Sequence, residues 1–138
     1  MVMLAIYGGY SIIEGIMDTL FNSLMMDGIR TIYGDRLQEY LSGMGVESLS
    51  QFSDIVYKEG IVNIIDGAMV MSAFLLCYLR KYWKLAVALC ILASGFIFAA
   101  LPFMTGKLIE SNALMLILQA AVGLLVARGI YVNRAVFK

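Results

Sequence analysis

The chain alternates long apolar stretches with short polar ones. The clearest stretch, residues 85–106, contains no charged side chain. A helix needs about 20 mostly apolar residues to cross a bilayer, where lipid offers no partner for backbone N–H and C=O groups. Four such spans can be placed, at about 2–26, 60–79, 85–104 and 108–127. The pattern predicts an all-α integral membrane protein with one domain, a four-transmembrane-helix bundle.

The segment between the first two spans, residues 27–59, has a helical pattern of its own. One apolar stripe comprises Ile29, Ile32, Tyr33, Leu37, Tyr40, Leu41 and Met44. Gly43 and Gly45 mark its end. The capping-box spacing from Ser48 to Gln51 predicts a second helix, which can run straight into the second span. The first helix either lies on the membrane surface or covers the bundle; a polar hairpin packed on its own spans explains the pattern equally well.

Charge is unevenly distributed along the chain, although the formal net charge is zero. The turn after the second span and the tail after the fourth carry six bases and no acid, whereas residues 27–59 carry six acids and three bases. Basic residues concentrate on the cytoplasmic side of a membrane. We therefore expect a multi-pass protein of the cell (cytoplasmic) membrane with both termini in the cytoplasm, and with Tyr82, Trp83 and Tyr131 at the inner interface.

The composition argues against several kinds of chemistry. The chain has no histidine, the commonest general base and metal ligand. Cys77 and Cys90 lie in apolar stretches without the further ligands that zinc needs, so we interpret them as small buried hydrophobes. No long basic run suggests nucleic-acid binding. We expect no cofactor, no metal and no nucleic-acid partner.

Four carboxylates lie inside the predicted spans: Glu14, Asp18, Asp66 and Glu110. An ionised acid at the bilayer centre costs about 2.5–3.5 kcal/mol on insertion scales. Glu14 and Asp18 share one helix face, and antiparallel spans would allow Asp18, Asp66 and Glu110 to meet in the outer half of the bundle. We interpret the four as a cation or proton site or as an interhelical polar site; for Asp66 and Glu110, an interfacial or hydrogen-bonding role is the simpler interpretation. Supporting polar residues on the same spans are Ser11, Asn22, Asn63, Asn112 and Gln119.

A short pattern occurs three times, as Ile12-Ile13-Glu14-Gly15, Ile64-Ile65-Asp66-Gly67 and Leu108-Ile109-Glu110-Ser111. Repeats in transporters often place binding groups at equivalent positions, although so short a match also arises by chance in an apolar chain. Glycines in the spans can bring helices close together. We expect no pair of them at GxxxG spacing to define one clean helix face.

The first span, with Tyr7-Gly8-Gly9, Glu14 and Thr19-Leu20, resembles the first helix of small multidrug resistance transporters. The resemblance implies four spans and an essential carboxylate at Glu14. The chain departs from that family in its long 27–59 segment and in Asp18 and Asp66. Only Glu14 is carried over, and we assign the chain to no family.

Two functions agree with these features. The first is a non-enzymatic accessory or structural subunit of a membrane complex, which small size and the absence of cofactor ligands favour. The alternative is a small cation- or proton-coupled transporter, acting as a homo-oligomer through its intramembrane carboxylates. An enzyme acting on lipids ranks third, because no nucleophile with an adjacent base is visible. The expected partners are the lipid bilayer and other membrane subunits or further copies of the chain.

Overall fold

The computed structural model describes residues 2–79, 82–100 and 108–137; within these ranges, the side chains of residues 108–116 and 137 are left out. The described residues are helical and include no strand. Their α helices are α1 (Val2–Leu20), α2 (Asn22–Tyr33), α3 (Leu37–Gly43), α4 (Leu49–Tyr78), α5 (Trp83–Ala100) and α6 (Leu108–Val132). The predicted all-α class is therefore confirmed for this part of the chain.

Two of these helices, α4 and α5, are long and apolar enough to cross a membrane. They contain most of the second and third predicted spans. The four-span bundle stays a prediction.

The first helix is shorter than the predicted span. α1 ends at Leu20, and the chain bends at Phe21, whose φ and ψ are −103° and 11°. The Asn22 side-chain Nδ2 then donates to the Ser53 carbonyl oxygen at 3.0 Å, and the Ser53 hydroxyl donates back to the Asn22 Oδ1. The predicted span to residue 26 is thus wrong as one continuous helix, because Asn22 is tied to the beginning of α4.

The second long helix starts earlier than the predicted span. The Ser48 hydroxyl accepts a hydrogen bond from the Gln51 backbone N–H at 3.2 Å, and Ser48 is thus the N-cap residue at the start of α4. The capping box is confirmed, with one change: the Gln51 side chain accepts from the Glu47 amide at 2.9 Å. Residues 49–59 therefore belong to α4, and the predicted second helix does run straight into the residues of the second predicted span.

The later boundaries also differ from the predictions. α5 begins at Trp83, which the sequence assigned to the preceding turn, and α6 continues to Val132, past residue 127. The predicted end of the third span, residues 101–104, and the link 105–107 lie outside the described residues. So do Arg80 and Lys81 of the basic turn.

Residues 22–56 form what we call the cap, at the end of the bundle where α1 stops and α4 begins. Its core consists of Met26, Leu41, Val46, Phe52 and Ile55, and the Tyr33 and Tyr40 rings stack with centroids 3.9 Å apart. The predicted stripe mostly packs here, but Ile32 is 78% exposed. The stripe is not one continuous helix face, because Gly34, at φ 47°, ends α2 between Ile32 and the members of the stripe on α3. The end of α3 at Gly43 matches the prediction.

The main helices pack in pairs, α1 on α4, α4 on α5 and α5 on α6. Their shared core contains Leu4, Val70, Ala73, Cys77, Ala86, Cys90, Ala93, Ala127 and Ile130. The two cysteines are buried free thiols, as predicted. Trp83 meets the Tyr131 ring edge-on at 6.2 Å, which joins the start of α5 to the end of α6. The start of α1 lies at this same end, since Leu4 belongs to the core.

Candidate functional site: a polar seam between α1 and α4

Glycines bring the backbones of α1 and α4 into direct contact. A Cβ on Gly67 would lie 2.8 Å from the Gly8 carbonyl oxygen, and a Cβ on Gly60 would lie 2.9 Å from the Gly15 carbonyl oxygen. Gly8 therefore opposes Gly67, and Gly15 opposes Gly60, so the helices are antiparallel. None of these four glycines has a second glycine at GxxxG spacing, the spacing considered from the sequence. These glycines repeat every seven residues rather than every four, which also keeps them on one face.

The two helices use the same pattern to make this contact. A Cβ on Gly15 would meet the Ile64 Cγ1 at 2.7 Å, and a Cβ on Gly67 would meet the Ile12 Cγ1 at 2.8 Å. Residues 8–15 and 60–67 are thus related by a local two-fold axis perpendicular to the helices. The first two copies of the repeated sequence pattern occupy equivalent positions. The side chains of the third copy, residues 108–111, lie outside the described residues.

The polar residues beside these glycines form what we call the polar seam: Tyr7, Ser11, Glu14 and Asp18 on α1, and Glu59, Asn63 and Asp66 on α4. At the end nearer the start of α1, which we call the inner end, the Tyr7 hydroxyl donates to the Asp66 Oδ2 at 2.7 Å. Asp66 is only 3% exposed. The bond gives this buried carboxyl group a hydrogen-bond partner, which buried polar groups require.

The middle of the polar seam is also buried. Ser11 is fully buried, and its hydroxyl has no hydrogen-bond partner among the described residues. Asn63 occupies the equivalent position on α4 and is 7% exposed. Ser11 lies between Gly8 and Gly15 along α1, and Asn63 lies between Gly60 and Gly67 along α4.

The opposite end of the polar seam, which we call the outer end, contains three carboxyl groups. Glu14 and Asp18 are half-buried one turn apart on α1, and Glu59 is half-buried on α4. A Cβ on Gly60 would lie 2.7 Å from the Asp18 Cβ, and Glu59 is within electrostatic range of both Asp18 and Glu14. The Tyr10 hydroxyl donates to the Glu14 Oε1 at 3.3 Å. We call Glu14, Asp18 and Glu59 the acidic trio.

The local two-fold axis shows how the two ends differ. It relates Asp66 to Glu14 and Tyr7 to Glu59. At the inner end a phenol faces a carboxylate and donates to it, whereas at the outer end the equivalent positions both hold carboxyl groups. Asp66 therefore has a hydrogen-bond donor from the facing helix, whereas the one donor to the acidic trio among the described residues, Tyr10, lies on the same helix as Glu14.

The structure does not bring Asp18 and Asp66 together. Asp18 lies at Gly60, six residues before Asp66 on α4, which corresponds to about 9 Å along a helix. Asp18 instead lies beside Gly60, whose neighbour in the chain is Glu59, a residue of the predicted 27–59 segment. The signal was present: once α4 is started at Ser48, Glu59, Asn63 and Asp66 fall on one helix face.

The remaining predicted site residues either lie away from the polar seam or have side chains outside the described residues. Asn22, predicted as a supporting polar residue of the first span, belongs to α2 and binds Ser53 of α4. Gln119 is half-buried on α6. Glu110 and Asn112 belong to α6, but their side chains are outside the described residues. Among the described residues, no group of three potential metal ligands is close enough to hold an ion.

Comparison with known protein families, curated proteins and solved structures finds no match to this chain.

Proposed function

We propose that this protein is a non-enzymatic accessory or structural subunit of a membrane complex. In this proposal α1, α4, α5 and α6 cross the membrane, both termini are cytoplasmic, and the cap lies on the opposite side. The observation that carries the proposal is the acidic trio, whose three half-buried carboxyl groups have no cationic partner among the described residues.

Unpaired charge at the outer end of the polar seam is energetically costly within a membrane. Each ionised carboxylate would cost up to about 2.5–3.5 kcal/mol if it were held near the bilayer centre without a partner. The one ion pair in the described structure joins Lys58 to Asp54, both exposed on another face of α4. No cation pairs with the acidic trio among the described residues, and in this proposal the cation or further hydrogen-bond donor comes from another chain. A basic or amide side chain on a neighbouring subunit would supply it.

The tightness of the polar seam favours a fixed partner over a passage for ions. α1 and α4 touch through their backbones at Gly8 and Gly15, which leaves no room for a hydrated ion between them at these positions. The partner is expected to approach from the side on which Glu14 and Asp18 remain accessible.

The test compares two triple variants, each expressed at native level and extracted into lipid nanodiscs. Glu14→Gln, Asp18→Asn and Glu59→Gln together remove the acidic trio. Asp27→Asn, Asp35→Asn and Glu39→Gln together are the matched control, since all three acids are exposed in the cap. Native mass spectrometry is expected to find a stoichiometric foreign subunit with the wild type and with the control, but not with the trio variant. Retention of that subunit by the trio variant would reject the proposal.

A second candidate is a small cation- or proton-coupled transporter. It is favoured by the like charges at the outer end and by the local two-fold axis that relates Glu14 to Asp66, an arrangement found in transporters with inverted repeats. In this case Glu14→Gln or Asp66→Asn abolishes flux in proteoliposomes, and full flux in both variants rejects it.

A further inference from the structure

A lateral cleft lies between α1 and α6, in the half of the bundle nearer the end where α4 stops and α5 begins. Its volume is about 320 Å³, within the range of small-ligand sites. α1 packs mainly on α4 and α6 mainly on α5, so α1 and α6 form facing walls. The walls include Met3, Ile6 and Tyr10 from α1 and Val122, Gly123 and Val126 from α6.

The walls of the cleft offer almost no polar group to a ligand. The two tyrosines that line it, Tyr7 and Tyr10, direct their hydroxyls to Asp66 at 2.7 Å and to Glu14 at 3.3 Å. Only ring surface remains for an occupant. A polar ligand would lose its hydrogen bonds to water without replacement, so the cleft suits a hydrocarbon chain.

The surroundings of the cleft indicate where such a chain comes from. Exposed apolar side chains continue on both sides of it, including Val2 and Ile13 on α1 and Leu125 on α6. In a bilayer these residues face lipid, and the cleft opens sideways between them. An acyl chain can therefore enter from the membrane without crossing water.

The charge at this end of the bundle complements a phosphate. Lys84, Arg128 and Arg134 are exposed there. After Asp66 the chain has a single acidic residue, Glu110, which belongs to the first turn of α6 and so to the opposite end of the bundle. Basic groups beside clefts between transmembrane helices bind anionic headgroups.

We propose that the cleft binds one anionic phospholipid, with an acyl chain between α1 and α6 and the phosphate at the basic end. This inference rests on the membrane location proposed above, but not on the accessory role. The bound chain would cover the Tyr7 ring and exclude water from the Tyr7–Asp66 pair.

The experiment is native mass spectrometry of the intact chain, purified with equal amounts of phosphatidylglycerol and phosphatidylcholine. The paired variant Ile6→Phe and Val122→Phe fills the cleft. Its control is Ile13→Phe with Leu125→Phe, which enlarges exposed residues of the same helices outside the cleft. We expect one phosphatidylglycerol per chain in the wild type and in the control, and its loss in the cleft variant.

A second pair of variants tests the headgroup. Lys84→Gln with Arg134→Gln should remove the preference for phosphatidylglycerol, whereas Arg30→Gln with Arg36→Gln, both exposed in the cap, should keep it. Equal lipid retention by the cleft variant and its control, or no preference for the anionic lipid in the wild type, would overturn the inference.

The outcomes separate this inference from the proposed function. A chain that lacks a foreign subunit but retains phosphatidylglycerol supports the lipid site and rejects the accessory role. A chain that alkaline carbonate releases from native membranes overturns both, since each requires a membrane location.

Discussion

Replacing Gly67 by alanine should separate α1 from α4. The new Cβ would lie 2.8 Å from both the Gly8 carbonyl oxygen and the Ile12 Cγ1, and 2.9 Å from the Ile12 amide nitrogen. Two of these three atoms belong to the backbone of α1, so a rotamer change cannot remove the overlap. Overpacking of this kind costs about 1–3 kcal/mol. The higher helix propensity of alanine returns up to about 1 kcal/mol.

Gly95→Ala is the matched control, because a Cβ there would meet nothing within 4 Å. It keeps the gain in helix propensity without the overlap. The difference in unfolding free energy between the two variants therefore isolates the helix contact, and we expect Gly67→Ala to be less stable by about 1–3 kcal/mol. Reversible unfolding in mixed detergent micelles, followed by circular dichroism, measures it. Equal stability of the two variants would refute the backbone contact.

Three further predictions concern the inner end of the polar seam and the cap. Tyr7→Phe should lower the unfolding free energy by about 1–3 kcal/mol, since the buried Asp66 loses its donor. Ser48→Ala should cost about 0.5–2 kcal/mol through loss of the helix cap. Burial, and then the neighbouring Tyr33, raises the pKa of Tyr40, so Tyr33→Phe should lower that pKa in an NMR titration of labelled tyrosine. The protonated Tyr40 therefore contributes its full stabilisation to the cap below about pH 10, the ordinary pKa of tyrosine. This contribution is lost as the pH rises through the raised pKa of the folded state.

Each of these predictions has a result that contradicts it. Tyr10→Phe is the control for Tyr7→Phe, because its longer bond is exposed; equal effects of the two would argue against a buried pair. An unchanged stability in Ser48→Ala would show that the hydroxyl does not cap α4. A Tyr40 titration that does not move in Tyr33→Phe would leave burial alone as the cause of its shift.

The sequence was most informative where the signal is local. Ser48 and Gln51 stand three residues apart, and their side chains determine the start of α4 without help from the rest of the chain. The uncharged run of α5 is a property of one segment, as is the glycine that ends α3 at Gly43. Such features depend on neighbours within one or two helical turns.

The relation between distant segments could not be predicted. The bend at Phe21 depends on Asn22 reaching Ser53, 31 residues away. The contact of Gly8 with Gly67 requires a choice of helix pair and of register that one helix alone does not specify. Glu59 was overlooked for a related reason: its place beside Asp18 follows only once that register is known.

Photo-crosslinking in native membranes tests the central claim most directly. A photoreactive residue at Met17, exposed beside Asp18 on α1, is compared with one at Leu92, exposed on α5. We predict one discrete adduct with a foreign polypeptide from position 17 and none from position 92. An adduct of twice the mass of this chain, or no protein adduct from position 17, would contradict the proposal that the acidic trio binds another subunit.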